Sequence, residues 1–347
     1  MSSRLSRLSA LSSSQSAVPS RTRRLTVHLA AALLAGGCGV AVQAQPAWPA
    51  AKPITLIVPF SAGGNVDVTA RLIAQKLGER LKQSVVIENV AGAGGVIGME
   101  KAVKAAPDGY TFVLGADSPV AIARLVNPVA VRYDTLKDLA PVGLVTTAPM
   151  VIVARPGLPA NNLADVIRLA REKPGQLSYA TSGVGTVLHL AMERVKGQSK
   201  TFMVHVPYRG GAQIVTDVIG NQVDLAVLIS VTAAPHIHSK KLKAIALTDG
   251  QRLPSLPDVP TVAETAGFKG FEMVSWTGLF APAQTPPAVV ERLNRELGEV
   301  LRLDDVRAKL ADGGAVAGKG SAAEFARFVQ AESARYAAIV KAANIKE

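Results

Sequence analysis

Cysteine is nearly missing from this sequence. Cys38 is the only one, and it falls inside an N-terminal stretch that reads as an export signal. The processed chain would hold none, which excludes disulfides and thiol catalysis. Aromatic residues are also scarce, at 4 % of the chain. Any core must be built from Ala, Val, Leu and Ile, and few rings are left to stack on nucleic-acid bases. Charged residues make up 18 %, below the ~25 % of an average domain. The basic residues form no run, which argues against a nucleic-acid partner. After residue 44 no segment is apolar for long enough to span a bilayer.

What is present suits an exported, two-domain α/β protein. A chain of 347 residues, 48 % hydrophobic, has room for about two cores. The net charge is +12, of which Arg4, Arg7, Arg21, Arg23 and Arg24 supply five before any acid occurs; without them it is +7. That balance suits an anionic ligand, and equally a solvated basic surface. The basic, Ser-rich start ends at Arg24, an apolar stretch Leu25 to Val42 follows, and Val42-Gln43-Ala44 matches a small-x-small cleavage site. Residues 1–44 therefore read as a signal peptide, with the mature chain starting near Gln45. Thr22-Arg23-Arg24-Leu25 loosely resembles a twin-arginine signal, and the export route stays open. Lipidation of Cys38 is disfavoured, because Ala35 stands where a lipoprotein signal has Leu.

Short apolar β runs then alternate with helical patterns, the mark of a mostly parallel sheet. Ile54 to Val58 is a strand, and Val66, Ala70, Ile73, Leu77 and Leu81 fall on one helix face. Ser84 to Glu88 and Tyr110 to Leu114 follow as strands, separated by a helix that opens at Gly92-Ala93-Gly94-Gly95. A second cycle begins after residue 140, with strands at Met150 to Ala154 and Leu177 to Ala180. Val204 to Val206, Val223 to Leu228, Leu242 to Leu247 and Val274 to Phe280 complete the strands, and two helices, about 286–303 and 321–342, end the chain.

Two loops carry candidate chemistry. The first is Phe60-Ser61-Ala62-Gly63-Gly64-Asn65-Val66-Asp67, and the second is Ala180-Thr181-Ser182-Gly183-Val184-Gly185-Thr186. Each follows a strand and opens a helix, whose first N–H groups have no internal acceptor and carry about half a positive charge. Glycines let an anion approach such groups. Either loop alone reads equally as an ordinary capped turn. Gly92, Gly94 and Gly98 imitate a dinucleotide fingerprint with a residue too many, and no cofactor is expected. Ser182 lacks a nucleophile-elbow context, His236 and His238 lack a third metal ligand, and no carboxylate pair has acid/base spacing. An enzyme is therefore not expected.

Taken in order, these motifs resemble the Bug family, the periplasmic receptors of tripartite tricarboxylate transporters. The resemblance runs from Lys52-Pro53-Ile54 through Gly63-Gly64 with Asp67 and Arg71, Val86-Ile87-Glu88-Asn89, and Pro107-Asp108-Gly109-Tyr110. It continues through Gly183, Gly185, His189-Leu190, His205-Val206-Pro207-Tyr208 and Leu256-Pro257-Asp258 to Trp276-Thr277-Gly278-Leu279. It implies a two-lobed Venus-flytrap α/β fold of type II-like build, each lobe a mostly parallel sheet flanked by helices. Lobe one would be 45–148 plus 270–347 and lobe two 149–269. A carboxylate would lie between the loops Phe60 to Asn65 and Thr181 to Thr186. Asp117 and Ser118 would face it from one lobe, Tyr208, Arg209 and Ser230 from the other, with Arg209 able to pair with a second carboxylate. The implied role is a monomeric periplasmic receptor delivering its ligand to membrane transporter subunits; a ligand sensor for a signalling partner would use the same cleft. Ala62 replaces a common Pro, Leu228-Ile229-Ser230 replaces a segment often carrying Phe and an acid, and Arg124 to Val131 lacks a common Tyr. The last two departures bear on ligand choice.

Overall fold

The computed structural model describes residues 48–208, 210–312 and 314–346. The segment read as an export signal, with Cys38, and the candidate ligand residue Arg209 lie outside them. The chain opens with β1 (Ile54–Val58), α1 (Asn65–Leu81), β2 (Val85–Asn89), α2 (Val96–Val103), β3 (Thr111–Ala116) and β4 (Leu139–Ala148). After Pro149 come β5 (Met150–Ala154), α3 (Leu163–Glu172), β6 (Ser178–Thr181), α4 (Val187–Ser199) and β7 (Val204–Pro207). Then follow α5 (Gly211–Ile219), β8 (Leu225–Ile229), α6 (Ser230–His238) and β9 (Lys243–Leu247). The described part closes with β10 (Ser275–Pro282), α7 (Pro287–Arg302), α8 (Asp304–Asp312), β11 (Val316–Ala317) and α9 (Ala322–Ala342).

The strands form two sheets, ordered β11-β4-β10-β3-β1-β2 and β7-β6-β8-β5-β9. In the first, β1 pairs parallel with β2 and β3, while β10 runs antiparallel between β3 and β4. In the second, β6 pairs parallel with β7 and β8, and β5 runs antiparallel between β8 and β9. The fold is thus a two-lobed α/β architecture whose sheets are mixed. The strands of opposite sense include the two that enter a sheet from the other lobe, β5 and β10.

Burial explains the apolar runs. Alternate residues of β1 face opposite layers: Leu56 and Val58 meet Ile73, Leu77 and Leu297, while Ile57 meets Met99 and Val113. A strand covered on both faces reads as continuous Ile, Leu and Val rather than as an alternation. In the second sheet Val151 and Val153 face Ile214 and Val218, and Ile152 faces the layer that holds Leu190. Gly98 is glycine for packing, since a Cβ there would lie 2.6 Å from Pro59 Cα.

Two differences from the sequence reading stand out. Leu139–Ala148 is a ten-residue strand that the pattern of apolar residues does not reveal, because Pro141 and Gly143 interrupt it. The C-terminal region also holds a third helix, Asp304–Asp312, beyond the two expected.

These connections place the functional edge. β4 ends at Ala148 and β5 starts at Met150, so only Pro149 separates the two sheets on the outward crossing. The return passes beside it: the Thr248 N–H donates to Met150 O at 2.9 Å, and the Met273 N–H to Thr248 O at 2.8 Å. In the first sheet β1, β2, β3 and β4 share a direction, so their carboxyl ends lie on the edge where the chain leaves. In the second, β6, β7, β8 and β9 likewise end at the edge where β5 begins. Both carboxyl edges therefore meet at the crossover, where open α/β sheets bind ligands.

Candidate functional site

The first loop joins β1 to α1 at that edge. Asp67, in the first turn of α1, is 1 % exposed and locks it. Its carboxylate accepts from the Gly63 N–H at 2.8 Å, Arg71 Nε at 2.9 Å and Asn89 Nδ2 at 2.8 Å. Asn89, the last residue of β2, also donates to Phe60 O at 3.1 Å. The Arg71 hydrogen bond leads the Gly63 and Asn89 contacts in holding the Asp67 carboxyl at about 2, against the opposing effect of burial. The Gly63 N–H is thus spent on Asp67. No side chain caps α1, whose N-cap is Gly64, so the amides of Asn65 and Val66 begin a helix without internal acceptors. Ser61 to Asn65 are exposed.

The second loop joins β6 to α4. Thr181 is 0 % exposed, and its hydroxyl lies 2.7 Å from His205 Nε2. That side chain supports the loop from beneath and offers no surface to a ligand. The Thr186 hydroxyl donates to Gly183 O at 2.9 Å and accepts from the His189 N–H at 3.3 Å, capping α4. The Gly185 N–H donates to His189 Nδ1 at 3.2 Å. Gly183 and Gly185 have φ of 133° and 70°, so they are glycines for conformation. Ser182 is half-buried, and Val184, also half-buried, packs against the core. Below the loop Tyr179, His205 and His189 stack, with the two imidazoles 3.9 Å apart. Burial first, and His189 next, push the His205 imidazole down to about 4. Burial opposes ionisation of Glu193, but contacts with His189, Lys196 and Tyr179 bring its carboxyl to about 2.

The remaining expected residues divide between surface and support. Asp117 is 3 % exposed and accepts from Ser275 Oγ at 2.6 Å, the Trp276 N–H at 2.9 Å and Ser118 Oγ at 2.9 Å. Burial pushes its pKa up, and those donors offset part of the effect. Asp117 therefore ties the end of β3 to the start of β10. The Tyr208 N–H donates to Thr181 O at 2.8 Å, and its hydroxyl to Asp217 at 2.7 Å. Ser230 is buried at the start of α6, its N–H donating to Pro149 O at 2.9 Å.

Contacts knit these pieces together. A Cβ on Gly95 would lie 3.2 Å from Phe60 Cζ and 3.0 Å from Pro119 Cγ, and one on Gly185 would lie 3.0 Å from Val126 Cγ2. Phe60 thus packs beside Gly95 and Pro119, and the second loop packs on Val126. A cavity of about 400 Å³ is lined by Asn65 and Ala116 from the first sheet's edge, Ile229 from the second's, and Ser275 of β10. Of the expected residues only Asn65 lines this cavity, with Ala116 and Ile229 next to Asp117 and Ser230. Sequence reasoning missed Asn89, His205 and Ser275 as parts of the site. Asn89 and His205 stood within quoted motifs, but nothing in a linear pattern says which loop each one holds.

The tripartite tricarboxylate transporter family receptor model matches residues 69–345. The chain belongs to this receptor family. BugT of Bordetella pertussis is 34 % identical to it over 297 residues, 85 % of this chain and 90 % of BugT. The structure of Rpa4515 from R. palustris with adipate is 36 % identical, has a TM-score of 0.75, and covers 86 % of this chain and 99 % of its own. MatC from Rhodopseudomonas palustris with bound malate is 33 % identical, at TM-score 0.72 over 84 % of this chain and 100 % of MatC. Receptors of this family are periplasmic solute-binding proteins, and the two-sheet build described here is theirs. Among the described residues of this receptor no helix is long and apolar enough to cross a membrane, and no cluster of three or more metal-binding side chains occurs.

Proposed function

We propose that this receptor is exported to the periplasm, captures a small organic carboxylate between its lobes, and hands it to the membrane subunits of a tripartite tricarboxylate-type transporter. Lobe one would comprise 45–148 and 270–347, and lobe two 149–269. The observation that carries the reading is the meeting of two carboxyl strand edges at one crossover. The uncapped start of α1 and the glycine-shaped loop Thr181 to Thr186 each follow a strand that ends at that edge. Asn65 and Val66 amides supply donors and the positive end of a 17-residue helix. Ser61 and Ser182 supply hydroxyls, and Phe60 and Tyr208 supply apolar walls. The bound acids of Rpa4515 and MatC support the ligand class.

Native mass spectrometry of protein purified from the periplasm tests the whole proposal. The expected result is a polypeptide starting near Gln45, accompanied by the mass of an organic acid that dissociates on activation. A chain retaining Arg23 and Arg24 would overturn the export reading. Failure of the folded protein to bind any carboxylate by calorimetry would overturn the receptor reading.

A further inference from the structure

We infer that the acid taken by this receptor is a monocarboxylate with an aliphatic or aromatic body, and that the body lies in the cavity beside the first loop. This deepens the reading above and rests on it. The cavity begins at Asn65, the first residue of α1, so it is continuous with the helix end that would hold the carboxylate. Its volume, about 400 Å³, falls within the ~300–1,000 Å³ of small-molecule sites.

The chemistry of the wall decides the class. Val66, Leu72 and Leu310 present apolar surface to the space. Three of its hydroxyls are already paired: Thr146 and Thr277 bond each other at 2.7 Å, and Ser275 donates to Asp117 at 2.6 Å, while Thr69 on α1 adds a further neutral hydroxyl. Lys309 and Asp312 at the rim are both exposed and of opposite sign, so they add no net charge. Among the described residues lining the cavity the one cation is the exposed Lys309, so a second carboxylate pushed inside would lose its hydration with no buried cation there to replace it. An apolar body loses no hydrogen bond there and gains burial.

Calorimetry on the processed protein with butyrate, pentanoate, hexanoate, benzoate, adipate and citrate tests this, with thermal melts to verify folding. Affinity is expected to rise about fourfold for each added CH₂ from butyrate to hexanoate. Hexanoate is expected to bind at least tenfold tighter than adipate, which has the same carbon count and a second charge. Leu72→Gln should cut the gain per CH₂ below twofold. Thr69→Phe, which fills the cavity from α1, should remove the preference for hexanoate over butyrate and keeps the test available if Leu72→Gln does not fold. Carboxylates that bind without any dependence on chain length, or adipate or citrate binding tighter than hexanoate, would overturn this inference and leave the receptor reading intact. A folded protein that binds none of these acids would overturn both.

Discussion

Gly64 and Gly183 look alike in the sequence, and the backbone separates them. Gly64 has φ of −76° and ψ of 165°, a conformation open to any residue, and a Cβ there would meet only Ser61 O at 3.6 Å. Gly183 has φ of 133°, which strains every other residue even where space is free. Gly64→Val is therefore the cleaner probe: it should fold normally while its side chain obstructs the Asn65 and Val66 amides. Losing a charge-assisted hydrogen bond costs roughly 1.5–3 kcal/mol, so calorimetry with an identified acid should show about a ten- to hundredfold loss of affinity. Unchanged affinity would move the carboxylate away from α1.

His205 gives a second prediction at this scale. Its folded pKa, about 4, lies below the reference value of 6.5. Between these values the unfolded chain binds the extra proton, so stability falls as pH drops from about 6.5 to about 4 and is unaffected by this group above that window. His205→Phe keeps a ring in the stack and removes the titration. Melts from pH 7 to 4 should show the wild type losing on the order of 3 kcal/mol more than the variant. Parallel pH profiles for the two proteins would show that His205 is not buried as described.

At the level of elements, β10 is the strand on which the first lobe depends. It lies between β3 and β4, its first residues hold Asp117, and Trp276 Nε1 donates to Tyr336 on α9 at 3.1 Å. Gly278 lets α9 approach: a Cβ there would lie 2.0 Å from Phe325 Cζ. Gly278→Ala must push that ring aside or bend the strand, an overpacking that costs about 1–3 kcal/mol. Chemical denaturation should show that loss, and an unchanged midpoint would mean α9 yields freely. The same element shows where a linear reading weakens. Val274 to Phe280 is legible as a strand from its composition, but that β10 is antiparallel and central is a matter of register with β3 and β4. β4 itself is hidden by Pro141 and Gly143, which its pairing tolerates: Pro141 lies beside a register shift, and Gly143 makes room for Leu297 and Asn294 of α7.

For the whole molecule the expectation is closure about the two adjoining crossings, at Ala148–Met150 and near Met273. Few residues absorb such a motion, and the carboxyl edges on either side would approach each other around the ligand. Trp276 lines the cavity and lies 1 % exposed beside the return crossing. A saturating acid should therefore change tryptophan emission and shrink the radius of gyration in solution scattering. If calorimetry shows saturation and neither signal moves, the lobes do not close on the ligand.

By itself the sequence determined the local elements and the family. Apolar runs bounded by glycine and proline specify strands, helical spacing specifies α1, and both candidate loops were legible because loop chemistry is written in consecutive residues. Only the tertiary structure decided which groups in those loops remain available. Gly63 is spent on Asp67, Gly185 on His189 and Thr181 on His205, across separations of 4, 4 and 24 residues. Asp117, which the family resemblance places facing the ligand, is held by Ser275, 158 residues away. A hydrogen bond between distant segments depends on which strand ends share an edge, and that is set by how the sheets are threaded rather than by any local propensity.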